Sequence, residues 1–242
     1  MPVSQVHEEF ADAHLALERL HQAVMAQLGS LIAAHEPHNP EQLQAIIIKD
    51  QEIDRMELQV HDLCVRLIEQ KTPRSSGLRF LLGTIDIARS LERVGDTIEY
   101  IARSILALPR LSEDFFEGHG LITAMLSQVE RILTLSHTAW SASRLDLIGE
   151  VSLLDTPIDD LRARAFRMAV SAIRWDRVDA ELGMKVVLIT NKLEAIGDIA
   201  VAIAETTHYI ISSEILRHRR LADALPATRT PVVGGQLVQT PA

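Results

Sequence analysis

The chain has a single cysteine, Cys64, so it forms no intramolecular disulfide, and nothing in it suggests a thiolate metal site. Aromatic residues make up only 4% of the sequence against 47% hydrophobic, so a core is available but must be aliphatic. Basic residues are outnumbered, with 24 Lys and Arg against 33 Asp and Glu and a formal charge of −9. That deficit argues against nucleic acid as the main partner, because phosphate binding needs a basic surface, and it suits cations. No window approaches the ~18–20 uncharged apolar residues of a membrane span. The N-terminal MPVSQVHEEFADAH is acidic and lacks the apolar core of a signal peptide, which places the expected location in the cytoplasm. There is no phosphate-binding glycine loop and no nucleophile motif.

What the chain does have is a duplication. Residues 86–103 read DIARSLERVGDTIEYIAR and residues 188–205 read LITNKLEAIGDIAVAIAE, both carrying Leu-Glu-x-x-Gly-Asp. Ahead of each copy, Asp50-x-x-Ile53-Asp54 recurs as Asp155-x-x-Ile158-Asp159. In 242 residues this favours two units of about a hundred residues each, an ordinary domain size.

Helical periodicity dominates, and no alternating strand is convincing. Six helices are expected: about 7–34, 40–71, 78–108, 121–143, 146–174 and 179–216. Thr72-Pro73-Arg74-Ser75-Ser76-Gly77 reads as a turn, and Glu117-Gly118-His119-Gly120 as a loop opening the second half. The predicted fold is all-α, with two tandem antiparallel three-helix bundles. They occupy residues 1–111 and 112–220, and a disordered tail follows at 221–242.

The repeated acids fall into four pairs spaced i, i+4: Asp50/Asp54, Glu92/Asp96, Asp155/Asp159 and Glu194/Asp198. That spacing puts both members of a pair on one helix face. On a helical wheel Asp50, Asp54 and Glu57 fall near the stripe of Leu43, Ile46, Ile53, Val60 and Cys64. Asp155 falls among Ile148, Val151, Ile158 and Ala169. Acids in an apolar stripe are unusual, since an unpaired buried carboxylate costs several kcal/mol or turns neutral. Glu92/Asp96 and Glu194/Asp198 lie opposite the main stripes of their own helices, so neighbouring helices bring their pairs to one groove in each half. Converging oxygens describe a hard-cation ligand set. Gly95 and Gly197, each one residue before the motif Asp, leave room for a close approach. Against this stands a solvated acidic face with salt bridges to Arg89, Arg93 and Lys192. At Thr156-Pro157-Ile158-Asp159 a second alternative is open: Thr as N-cap and Pro at the first position would start a new helix or kink the old one, making Asp159 a capping residue.

Other chemistry is less well supplied. A di-iron carboxylate bundle needs Glu-x-x-His motifs, and none is present, although Glu57 and His61 could supplement a site in the first half. A carboxylate storage or redox protein is the enzyme-like alternative. His7, His14 and His21 recur at heptad spacing, too far apart to share an ion, and read as a solvated or interface face. Trp140 and Trp175, near helix ends, are expected to pack onto a neighbouring bundle.

Gln70-Lys71-Thr72-Pro73, Leu78-Arg79, Leu91-Glu92-Arg93-Val94-Gly95-Asp96 and Ile101-Ala102 resemble the PhoU family of phosphate-signalling regulators. So do Leu193-Glu194-Ala195-Ile196-Gly197-Asp198, Ile203-Ala204-Glu205 and Tyr209-Ile210-Ile211. The resemblance spans about residues 10–216. It implies two similar three-helix bundles and dimerisation. It also implies divalent or trivalent metal ions (iron, zinc, manganese or magnesium) at four acidic motifs that fall on the eight acids named above. The implied partners are the phosphate ABC transporter and a membrane sensor histidine kinase at the inner membrane face. The implied role is to restrain uptake and hold the starvation response off when phosphate is plentiful, with no catalytic reaction. Without a phosphate-binding glycine loop, any phosphate sensing is expected to be indirect. The chain departs from the family pattern at Tyr100, Arg103, Ala195 and Ala202, and Glu57 has Arg162 as its repeat counterpart, so the two sites need not bind alike. These departures leave room for a diverged regulator of another transporter.

Overall fold

The computed structural model describes residues 6, 8–35, 38–108 and 116–216, and no strand occurs among them. Six helices follow one another: α1 (Ala11–His35), α2 (Pro40–Lys71), α3 (Ser75–Leu106), α4 (Phe116–Ser141), α5 (Asp146–Arg174) and α6 (Ala180–Ser212). Local chemistry sets several of these ends. The Asn39 side chain accepts from the backbone N–H groups of Glu41 and Gln42 at 3.1 and 3.2 Å, with Pro40 at the first helical position. Thr72 closes α2 in the left-handed region at φ 44°. The Asp179 carboxylate caps α6 by accepting from Leu182 N–H at 2.6 Å.

Several expected boundaries are corrected. Ser75 to Gly77 belong to α3 rather than to the turn, and Gly77 lies under the Phe10 ring, where a Cβ would stand 2.7 Å from Phe10 Cε2. The stretch from Glu117 to Gly120 is helical, and α4 starts five residues earlier than expected. At the far end α6 stops at Ser212, because Ser213 turns left-handed at φ 69° and its N–H bonds back to Tyr209 O. The proposed start or break at Thr156-Pro157 is also corrected: α5 runs unbroken from Asp146 to Arg174 with Pro157 inside it. Pro157 and Leu153, whose carbonyl loses its helical donor, are both exposed, so water can serve that oxygen while buried Val151 and Ile158 keep the helix seated. The expected disordered tail at 221–242 lies outside the described residues.

Helices α1, α2 and α3 pack on one another, as do α4, α5 and α6, giving two three-helix bundles. They meet along α3 and α6, with a smaller contact between α1 and α4, and share one aliphatic core. The seam is tight: a Cβ on Gly83 of α3 would meet Ile210 of α6 at 2.5 Å. On the flank, the helix-one histidines form an interface rather than a solvated face. His14 stacks on Trp140 with ring centroids 4.6 Å apart and His21 on His137 at 3.7 Å, while Glu18 Oε2 lies 2.9 Å from His137 Nε2. His7 lies outside the described residues. Trp175, in contrast, is 70% exposed and packs against no bundle, which corrects the expectation for it.

Candidate functional site

Asp50 is the anchor of the first cluster. It occupies a core-facing position of α2 between Ile46, Ile47 and Ile53 and is only 7% exposed. Burial costs a carboxylate several kcal/mol unless it is partnered, and Gln27 Nε2 of α1 donates to its Oδ1 at 3.0 Å. On the far side lies Gly95 of α3, where a Cβ would stand 3.1 Å from the same Oδ1. The absent side chain lets the carboxylate rest against the α3 backbone, and this gives the mid-helix glycine its packing reason. One turn on from Asp50, Asp54 is exposed, and Asp96 follows Gly95 on α3.

Asp50, Asp54 and Asp96 each offer one oxygen such that the three atoms lie within 4.8 Å of one another. Glu92 lies on the same acidic surface without joining that trio, and it feels the charges of Asp96, Asp54, Glu57 and Asp50. Burial, then the neighbouring acids, hold the carboxyls of Glu92 and Asp96 above the usual range. Burial does the same to Asp50, offset in part by the Gln27 hydrogen bond. Three like charges held this close repel one another, and a bound cation would relieve the repulsion. The donors are all carboxylate oxygens, a set that fits a hard or borderline divalent or trivalent ion.

The second half repeats the device and alters it. Asp155 of α5 faces Gly197 of α6, where a Cβ would stand 2.8 Å from Asp155 Oδ1. Its carboxyl is pushed up to about 6 by burial, then by Asp159, Asp198 and Glu194. Burial likewise raises Glu194 and Asp198, while Arg162 pulls both down. Arg162 Nε lies 3.5 Å from Glu194 Oε1. Among the described residues, no second trio of acids converges as Asp50, Asp54 and Asp96 do.

All eight sequence-derived acids thus flank the α2–α3 and α5–α6 contacts, but only three of them converge tightly. His61 pairs with Asp62 at 3.5 Å, and the converging trio holds no imidazole. Two contributors escaped the sequence reading. Gln27 had a signal: it lies three residues after Val24 and four before Leu31, beside Leu28, on the apolar face of Ala13, Leu17, Leu20, Val24, Leu28, Leu31 and Ala34. Glu99 had none; its charge reaches Asp50 and Asp96, and Arg103 holds it through Nη2 at 2.6 Å and Nε at 2.9 Å.

No described helix is long and apolar enough to cross a membrane. The fold has close counterparts. A crystal structure of PhoU from Pseudomonas aeruginosa aligns with a TM-score of 0.78 at 24% identity, covering 86% of this chain and 99% of that one. The phosphate transport system regulatory protein PhoU from Streptococcus pneumoniae aligns with a TM-score of 0.73 at 22% identity, covering 87% and 98%. In sequence, a phosphate-specific transport system accessory protein PhoU homolog from Clostridium acetobutylicum is 26% identical over 85% of this chain and 94% of its own length. The homolog from Pseudomonas aeruginosa is 27% identical over 70% and 69%. The PhoU domain itself matches twice, at residues 17–105 and 122–207, once on each acidic site. With that doubled domain over most of its length, this chain belongs to the PhoU family.

Proposed function

We propose that this protein is a non-enzymatic, metal-binding regulator of phosphate transport. In this reading it links the phosphate ABC transporter to a sensor histidine kinase at the cytoplasmic face of the membrane. When phosphate is plentiful it restrains uptake and keeps the starvation response off. It works as a homodimer of chains, each built from repeats spanning 1–111 and 112–220. A divalent or trivalent ion (iron, zinc, manganese or magnesium) sits at the first acidic cluster. Asp50, Asp54 and Asp96 bind it, with Glu92 beside them.

The observation that carries the reading is the doubled PhoU domain, with the acid pairs repeated on each copy and a converging trio on the first. Relatives named as accessory proteins of phosphate-specific transport support the physiological part. An oxygen-only donor set without imidazole supports binding of a hard cation and departs from the Glu-x-x-His pattern of a di-iron carboxylate bundle. The test is deletion of the gene in cells carrying a reporter of the phosphate-starvation response. At high phosphate the reporter is expected to turn on, and re-expression of the chain should silence it. A reporter that stays silent after deletion would sink the regulatory reading.

A further inference from the structure

The two acidic clusters differ at one register position. Glu57 lies three residues after Asp54 on α2, and Arg162 lies three residues after Asp159 on α5. The helices match here, because Asp50 faces Gly95 just as Asp155 faces Gly197. The same helix position therefore carries a carboxylate in one half and a guanidinium in the other.

We infer that Arg162 is a built-in counter-ion that closes the second acidic cluster to metal ions, so that each chain loads cation through its first cluster alone. Arg162 Nε lies 3.5 Å from Glu194 Oε1, and its charge also reaches Asp198. It thus pairs with one acid of the α6 pair and acts on the other through its charge, and these are the groups an entering cation would need. Glu57 at the matching position adds its negative charge to Glu92 instead. The first half has a basic residue close by, Arg103, whose charge reaches Asp50, but its guanidinium is engaged by Glu99 at 2.6 Å and its side chain is 59% exposed against 40% for Arg162.

Formal charges agree with this assignment. Asp50, Asp54, Glu57, Glu92 and Asp96 carry five negative charges. Asp155, Asp159, Glu194 and Asp198 carry four, and Arg162 returns one. The second cluster therefore rests at the charge the first reaches only after taking up a divalent ion. Electrostatic relief, the main drive for cation binding to clustered carboxylates, is already supplied there by the protein. The inference deepens the proposed function by assigning the regulatory ion to one repeat, and it rests on the reading of the first cluster as a cation site.

The test is equilibrium dialysis of the full chain against Mn²⁺ and, in parallel, Zn²⁺, with metal counted by mass spectrometry. For the wild type, bound metal is expected to vanish in Asp54→Asn/Asp96→Asn and to stay unchanged in Asp159→Asn/Asp198→Asn. Arg162→Glu should gain a further complement about equal to the wild-type load. Adding Asp159→Asn/Asp198→Asn to it should remove that gain. Because a misfolded chain can also take up Zn²⁺ through its histidines, the gain counts only where Arg162→Glu melts as wild type does and Asp159→Asn/Asp198→Asn removes it. Wild-type protein that loses metal on Asp159→Asn/Asp198→Asn overturns the inference, as does an Arg162→Glu variant that gains none. If the wild type takes up no metal while Arg162→Glu gains a complement, the role of Arg162 stands and the first-cluster reading falls.

Discussion

Gly197 and Asp155 meet so closely that a Cβ on the glycine would stand 2.8 Å from the Asp155 Oδ1. Gly95 and Asp50 repeat the relationship in the other half at 3.1 Å. A helix interior loses about 1 kcal/mol by carrying glycine in place of alanine. Both halves accept that cost at the same place, where a carboxylate of one helix lies on the backbone of the next. The glycine and the acid against it are thus one device, and the other acids are placed around it.

Gly95→Ala separates stability from ion binding. The helix gains about 1 kcal/mol in propensity, while the new methyl pushes on Asp50, which Gln27 holds in place. The two effects oppose each other, so the melting temperature is expected to stay within about 3 °C of wild type. Displacing the carboxylate weakens Mn²⁺ binding about tenfold, the equivalent of ~1.4 kcal/mol. Thermal melts and a Mn²⁺ titration on the same samples check both parts. Unchanged Mn²⁺ affinity in Gly95→Ala would show that the glycine does not serve carboxylate placement.

Gln27→Leu leaves Asp50 buried without its donor. The cost of orphaning such a group is about 1–3 kcal/mol, to be read as a lower urea midpoint at an unchanged slope. Converting both partners, Gln27→Leu with Asp50→Leu, should restore much of the loss, because two apolar groups need no partner. If the double substitution is simply additive, the hydrogen bond is not what holds Asp50.

The seam between the halves is tested at Gly83. A methyl there meets Ile210 Cδ1 and Cγ1 at 2.5 Å, so the Ile210 side chain or the helix that carries it must shift. Overpacking of this kind costs about 1–3 kcal/mol, which lowers the melting temperature by roughly 6 °C for a chain of this size. Gly83→Ala/Ile210→Val should recover part of that drop. A Gly83→Ala protein that melts with wild type means that the helices can part without cost.

Much of this architecture is written in local sequence. The ends of α2 and the start of α6 follow from Asn39-Pro40, Thr72 and Asp179, which act within one turn of the helix. The four acid pairs, and the glycine within Glu92/Asp96 and Glu194/Asp198, are legible as spacing. What spacing does not carry is which acids meet. That depends on the rotation of α2 against α3, which brings Asp96 to Asp50 and Asp54 and leaves Glu92 outside the trio. Pro157 misleads for a related reason. A capping signature competes with the tertiary packing of Val151 and Ile158, and the packing prevails because the broken hydrogen bond faces water. The histidine stripe of α1 has a period but no address until α4 presents His137 and Trp140.

That stripe gives the protein a pH dependence. His21 of α1 stacks on His137 of α4 at 3.7 Å. Burial, then the neighbouring His137, lower its pKa from the ordinary 6.5 to about 3, against a small opposing pull from the Leu133 carbonyl. Glu18, whose carboxylate lies between His137 and His14, takes the charge on this face, and Leu17, Ile87, Leu91 and Trp140 wall the site. With the folded-state pKa depressed, the unfolded chain binds the proton more readily. The stability from a neutral His21 is therefore complete above pH 6.5 and is lost as pH falls toward 3. Between pH 7 and pH 5 the loss is about 2 kcal/mol. Urea unfolding at those two pH values should show it, and in His21→Leu the difference between them should shrink by about that amount. The remaining slope would then sum His14, which burial also depresses, with Asp155, whose raised carboxyl titrates over the same range with the opposite sign. If His21→Leu keeps the full wild-type difference, the acid sensitivity originates elsewhere and His21 must accept its proton without parting α1 from α4.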